Sequence, residues 1–300
     1  MVFPSNRLVA LLVAIGLSGV AAPAWAQALL PQPIELDSAR LEEQGWQLLQ
    51  EAERWAQFQQ FDQALPRARL AAQLLPDNGQ AWAILGRLYV QTDETDAGIA
   101  ALERAKDLEP EDPSIRFALG TAHFLAEDYR QSIANFEAGL EMAPDRPEAA
   151  GALFDLGNAY YKLEEFDKAI EQYERALDRD SSFWPAANNI GLVEYERGNE
   201  QAAMDRWEEA LNIQQRAAEP KLALAVVLYA RGDRDRGFEM GEAALEADRR
   251  YAELEFLREN LWGEKLLDRA AEFLQTPRIQ EAIARAESQP DPMQIRFPVE

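Results

Sequence analysis

Few residues in this sequence could do covalent chemistry. It holds no cysteine and one histidine, His123. That removes disulfides, thiolate nucleophiles, iron–sulfur ligation and thiolate zinc sites together. A histidine triad needs a nucleophile and a carboxylate beside the imidazole, and nothing in the sequence announces that set. The acidic stretches Glu109-Pro110-Glu111-Asp112 and Asp233-Arg234-Asp235 lack the spacing of a calcium loop and read as solvated turns. No glycine-rich phosphate loop is present. The expectation is a non-enzymatic chain with no catalytic residue, no cofactor and no metal. Three kinds of side chain are left with binding chemistry. Asn158, Asn188 and Asn189 carry amides that can donate to and accept from a peptide backbone at once. Phe117, Phe124, Phe154, Tyr161, Tyr195 and Tyr229 are aromatics able to grip apolar groups, and Arg87 and Lys162 are isolated cations beside them.

The whole-chain charge narrows the partner. With 53 acidic and 30 basic residues, the formal net charge is −23. Such a surface repels nucleic acid and anionic lipid headgroups, keeps the chain in solution, and leaves protein or peptide as the expected partner.

What positions these residues is a repeat. Trp82-Ala83-Ile84-Leu85-Gly86-Arg87-Leu88-Tyr89 is echoed around Gly120, Gly157 and Gly191, and around Ala225 where alanine replaces the glycine. The intervals are 34, 37, 34 and 34 residues. A second signature follows each first one: Gly98/Leu102/Ala105, Ser132/Phe136/Gly139, Ala169/Tyr173/Ala176 and Ala203/Trp207/Ala210, with Gly237/Gly241/Ala244 as a weakened copy. Apolar residues three and four apart share one helix face, so each unit is two amphipathic helices joined by a turn. Gly198 and Gly232 fall at that turn, where a left-handed residue is wanted. One hairpin cannot bury its apolar face alone, so neighbours must stack.

This pattern resembles the tetratricopeptide repeat (TPR) family, most closely at Leu156-Gly157-Asn158-Ala159-Tyr160-Tyr161-Lys162, Phe166-Asp167-Lys168-Ala169-Ile170 and Tyr173-Glu174-Arg175-Ala176-Leu177. The fold expected is an all-α, right-handed α-solenoid of about six hairpins, at 45–78, 79–112, 113–146, 150–183, 184–217 and 218–251. In the first hairpin Glu51 replaces the usual leucine, and Pro66 is expected to kink the second helix or delay its start. The resemblance implies that the first helix of each repeat lines a concave groove. There the inward positions are Val90, Phe124, Tyr161, Tyr195 and Tyr229, with Phe117 and Phe154 two turns earlier. The bland alternative is that these rings pack against neighbouring helices. Asn158 and Asn189 stand where the family's carboxylate-clamp members bind a partner's terminal carboxylate. Phe154, Glu219 and Ala223 occupy the places of that clamp's cations, which argues against an acidic C-terminus and leaves backbone recognition open. His123 replaces a packing tyrosine and is expected to be structural.

The ends have their own expectations. Residues 1–26 read as a secretory signal peptide: Arg7 is the only charge in the first 34 residues, residues 8–20 are uncharged and mostly apolar, and Ala24-Trp25-Ala26 offers a small-x-small cleavage pattern. Thirteen residues make roughly 20 Å of helix, short of a bilayer core. No stable membrane insertion is therefore expected after cleavage, and the periplasm is the expected location. The thylakoid lumen and an uncleaved membrane anchor are the alternatives. Residues 27–44 are expected to form a leader and N-terminal cap, 252–288 capping helices over the last repeat's exposed face, and 289–300 a loose tail. The expected function is an exported scaffold that holds a partner in the groove and supports assembly of an envelope or membrane complex. The alternative is a structural subunit assembling through its edges or convex face.

Overall fold

The computed structural model describes residues 37–288. The expected signal peptide, the leader before residue 37 and the tail from residue 289 lie outside the described residues. Among the described residues all regular structure is helical. Six hairpins follow one another: α1 (Ser38–Gln57) with α2 (Phe61–Leu74), α3 (Gly79–Gln91) with α4 (Thr95–Leu108), α5 (Pro113–Leu125) with α6 (Tyr129–Met142), α7 (Ala149–Lys162) with α8 (Phe166–Arg179), α9 (Trp184–Glu196) with α10 (Glu200–Ile213), and α11 (Ala218–Ala230) with α12 (Arg234–Ala247). From α3 on, each helix packs on its hairpin mate, and the second helix of each hairpin packs on the first of the next. That order of contacts is an α-solenoid.

The recurring interval between small residues has a steric cause. A Cβ at Gly157 would stand 2.5 Å from the Tyr173 ring, one at Gly120 2.8 Å from Phe136, and one at Gly191 2.4 Å from Trp207. The first helix lacks a side chain where the second inserts an aromatic wedge. The longer interval between Gly120 and Gly157 is absorbed in the linker 143–148 and the first residue of α7. Pro66 lies inside α2 without delaying it, because α2 starts four residues after α1 ends, as in the other five hairpins.

Every hairpin turn carries one residue at positive φ: Gln59 (57°), Asp93 (61°), Glu127 (59°), Glu164 (58°), Gly198 (87°) and Gly232 (94°). Four of the six turns therefore place a side chain in the left-handed region, which costs about 1–2 kcal/mol against glycine, offset in part by glycine's freer unfolded chain. Glu127→Gly and Glu164→Gly are each expected to stabilise by about 0.5–1 kcal/mol, and Gly198→Ala to destabilise by a similar amount. Chemical denaturation checks both signs.

After α12 the period ends in a 3-10 turn (Arg249–Ala252), α13 (Leu254–Glu259), α14 (Glu264–Leu274) and α15 (Pro277–Glu287). α15 packs on α12 of the last hairpin, where Ile279 sits beside Gly241 and Arg278 pairs with Glu242 at 2.9 Å. α14 does something else. It folds back onto α9 and α11, the first helices of two successive hairpins. No helix among the described residues is long and apolar enough to cross a membrane.

Candidate binding face

At the N-terminal end, α1, α3 and α5 wall a cleft of about 570 Å³. Ala56, Ile84, Leu88, Val90 and Leu102 give it apolar walls, and Glu53, Arg87, Gln91 and Thr121 give it polar ones. Arg87 makes no hydrogen bond or ion pair within the described residues. Burial lowers its guanidinium below the ordinary value, and Asp112 and Glu53 pull it partly back. Arg87 is exposed at the mouth of the cleft, and an unpaired cation beside apolar surface is a ready partner for a carboxylate.

The aromatics expected to form a stripe along the face are each engaged within the chain. Phe117 lies over Gly139, where a Cβ would meet its ring at 2.5 Å. Phe124 meets Tyr129 edge-on at 5.4 Å between centroids. Phe154 sits between Tyr173 at 5.6 Å and Phe183 at 5.4 Å. These rings are half-buried, so each keeps part of its surface in solvent. Tyr161 is half-buried beside Phe166, and burial, with Glu196 and Glu164 nearby, raises its phenol well above the ordinary range. Lys162 is exposed at the end of α7. On the same helix, burial holds the Asp155 carboxyl up at about 6.

The amides differ from the expectation. Asn158, Asn188 and Asn189 are 9%, 0% and 6% exposed and bond to one another instead of standing open. Asn158 Oδ1 accepts from the Tyr173 hydroxyl at 2.8 Å and from Asn189 Nδ2 at 3.0 Å. Asn188 Nδ2 donates to Asn189 Oδ1 at 3.1 Å. Beyond Asn188 stands Glu219, buried in the first turn of α11, with Trp262 Nε1 donating to its Oε1 at 3.1 Å and the Tyr251 hydroxyl to its Oε2 at 3.4 Å. A polar chain thus runs from α8 through α7, α9 and α11 to the C-terminal segment.

Tyr195 is buried and Tyr229 is half-buried. Tyr195 is 8% exposed, and its ring lies 6.0 Å from Trp207. Tyr229 lies 5.3 Å from both Phe238 and Phe273, the latter on α14. The physical reason is α14 itself, which buries Leu266, Leu267, Ala270, Phe273 and Leu274 and carries them to the face that α9 and α11 offer. The face is therefore open over α1–α7 and occupied over α9–α11. Phe273, Trp262 and Glu219 are the residues that decide this. His123 is half-buried, with Nδ1 3.9 Å from Asp128 Oδ2. Among the described residues no cluster of three or more histidine, aspartate or glutamate side chains could hold a metal ion.

Three models of the tetratricopeptide repeat match the chain, over residues 56–120, 113–182 and 154–220, and together they take in more than half of it. No curated protein matches. Among solved structures the chain is similar to pilF of Pseudomonas aeruginosa, at 17% identity over 74% of this chain and 99% of that one, with a TM-score of 0.60. It is similar to MamA from Desulfovibrio magneticus RS-1, at 17% identity over 60% and 97%, with a TM-score of 0.52. It is also similar to YrrB, a TPR protein with an unusual peptide-binding site, at 18% identity over 66% and 98%, with a TM-score of 0.50. At these identities the likeness is one of fold.

Proposed function

The chain belongs to the tetratricopeptide repeat family, and from that premise we propose that it is a non-enzymatic scaffold that holds a partner polypeptide on the face formed by α1, α3, α5 and α7. The observation that carries this is the open cleft at the N-terminal end, where unpaired Arg87 stands among apolar walls. A segment combining an apolar side chain with a carboxylate would fill it. YrrB, which shares the fold, is described by its own peptide-binding site. The N-terminal sequence pattern supports export, and in an extracytoplasmic compartment the scaffold would serve assembly of an envelope complex.

Arg87→Glu reverses the cleft's cation, and Thr121→Trp fills its rim at an exposed position. Each is expected to weaken partner capture at least about tenfold, as loss of an arginine anchor does at an interface. Arg216→Glu, on an exposed linker, is expected to leave capture unchanged. Affinity purification of the full chain and these three variants from the native envelope, quantified by mass spectrometry, checks this. Equal recovery by all of them would refute binding through the cleft.

One observation favours a second reading. Trp46, Phe58 and Leu70 are exposed on the first hairpin, at 40%, 67% and 45%, which suits assembly through that edge. Light scattering against concentration distinguishes it, since cleft variants would not alter such an oligomer.

A further inference from the structure

The open part of the face carries a second unpaired charge, opposite in sign to Arg87. Two rows of side chains run across α3, α5 and α7 at fixed places relative to the glycine of each helix. One residue after the glycine stand Arg87, Thr121 and Asn158, and two residues before it stand Ile84, Ala118 and Asp155. Ile84, Arg87, Ala118 and Thr121 line the cleft, so the same register sets Asp155 on α7 where the floor of the cleft continues. We infer that Asp155 receives a lysine or arginine side chain of the partner, and that the face takes an extended segment whose acidic side chain meets Arg87 while its basic one meets Asp155. This charge pattern rests on the reading of the cleft as the binding surface and adds to it the partner's second anchor.

Three observations carry it. The first is that Asp155 has no counter-charge. It is half-buried and makes no hydrogen bond or ion pair within the described residues. Burial raises its carboxyl, and no cation of the chain opposes the effect. Arg87, at the other end, is unpaired as well. A partner that brings both opposite charges satisfies both ends at once.

The second observation is the uncharged stretch between them. α5 lines the cleft with Ala118 and Thr121, a small residue and a hydroxyl that leave room for a backbone. Phe117 and Phe124 on the same helix keep part of their rings in solvent, which suits an apolar side chain between the two charged ones.

The third is the separation. α3 touches α5, and α5 touches α7. Helices in contact stand about 8–10 Å apart, which sets α3 and α7 about 16–20 Å apart across the floor. That exceeds the screening length of about 8 Å at physiological salt, so Arg87 and Asp155 do not neutralise each other. An extended chain advances about 3.3 Å per residue and turns alternate side chains to one side, so the acidic and basic residues of the segment stand about four or six positions apart.

Fluorescence anisotropy of the full chain with labelled peptides tests this at about pH 7.5, where the Asp155 carboxyl, held up at about 6, is ionised. The peptides are blocked at both ends. Each carries one glutamate, a leucine two positions on, and a lysine about four or six positions from the glutamate, in both chain orders. Control peptides carry glutamine in place of the lysine. The lysine peptide of best register is expected to bind about tenfold tighter than its glutamine control. Asp155→Asn keeps the shape and removes an unpaired charge, so the fold is expected to stand, as circular dichroism checks. This variant is expected to bind both peptides alike while still requiring the glutamate. Asp155→Lys is expected to prefer the glutamine control. Equal binding of lysine and glutamine peptides by the unaltered chain overturns the inference, as does a lysine preference that survives Asp155→Asn. Where the glutamate is still required and Arg87→Glu abolishes that requirement, the cleft reading stands and only the second anchor is lost. Binding of no peptide also overturns the inference, and the cleft is then judged by the capture variants alone.

Discussion

Trp207→Ala is expected to remove about 3–5 kcal/mol of local stability, the largest effect of any single substitution in the array. Trp207 is the largest side chain that is fully buried. Its indole fills the place left open by Gly191, rests on Tyr195 at 6.0 Å, and donates from Nε1 to the Asn188 carbonyl at 3.2 Å. Truncation leaves a cavity that two rigid helices cannot close, and it removes the indole's bond to a carbonyl of α9. Gly191→Ala attacks the same joint from the other side: its Cβ would stand 2.4 Å from Nε1, and overpacking of this kind costs about 1–3 kcal/mol. Because hairpins in a solenoid contact mainly their neighbours, the loss falls on α9–α12 and the C-terminal helices first. Thermal unfolding followed by circular dichroism is expected to split, with the α1–α6 end melting later. A single transition displaced by less than about 1 kcal/mol would show that Trp207 is not the wedge.

The same joint shows why the repeat could be read without coordinates. A small residue opposite a large one, recurring about every 34 residues, is a packing constraint written in residue type, and Gly157/Tyr173 and Gly191/Trp207 express it directly. The turns were half legible. Gly198 and Gly232 announce their left-handed backbone, whereas Gln59, Asp93, Glu127 and Glu164 adopt it under tertiary constraint and carry no such mark. The binding face was legible as a set of inward positions but not as a state of occupancy. The apolar spacing of Leu266, Leu267, Ala270 and Leu274 makes an amphipathic helix, and that spacing is the same whether the helix covers the end of the array or lies along α9 and α11. Glu219 stands in the first turn of α11, where an acid ordinarily serves the helix dipole in solvent, so its burial under Trp262 has no local signature. Asn158 and Asn189 stand out in the sequence as amides at inward positions, but an amide that reads a partner and one that bonds its neighbours are the same residue type. Only the 3.0 Å contact between them decides.

Asn158→Ala is therefore expected to act on stability, by about 2–4 kcal/mol, rather than on a partner alone. Its Oδ1 is the acceptor shared by the Tyr173 hydroxyl and Asn189 Nδ2, and both buried donors lose it. Burial already raises the Tyr173 phenol far above the ordinary range, so ionisation offers no relief and the hydroxyl proton must find another acceptor. Asn189→Ala removes one of the same bonds and takes from Asn188 Nδ2 one of its two acceptors, leaving Glu219 as the other. The two changes share a contact, so the double variant is expected to lose less than the singles added together, by about 1 kcal/mol or more. Urea denaturation of the four members of this cycle gives the coupling. Amides held in reserve for a bound backbone would leave stability unchanged in both singles and add without coupling. A non-additive loss measured with no partner present assigns them to the joint between α7 and α9, and leaves recognition to the cleft around Arg87.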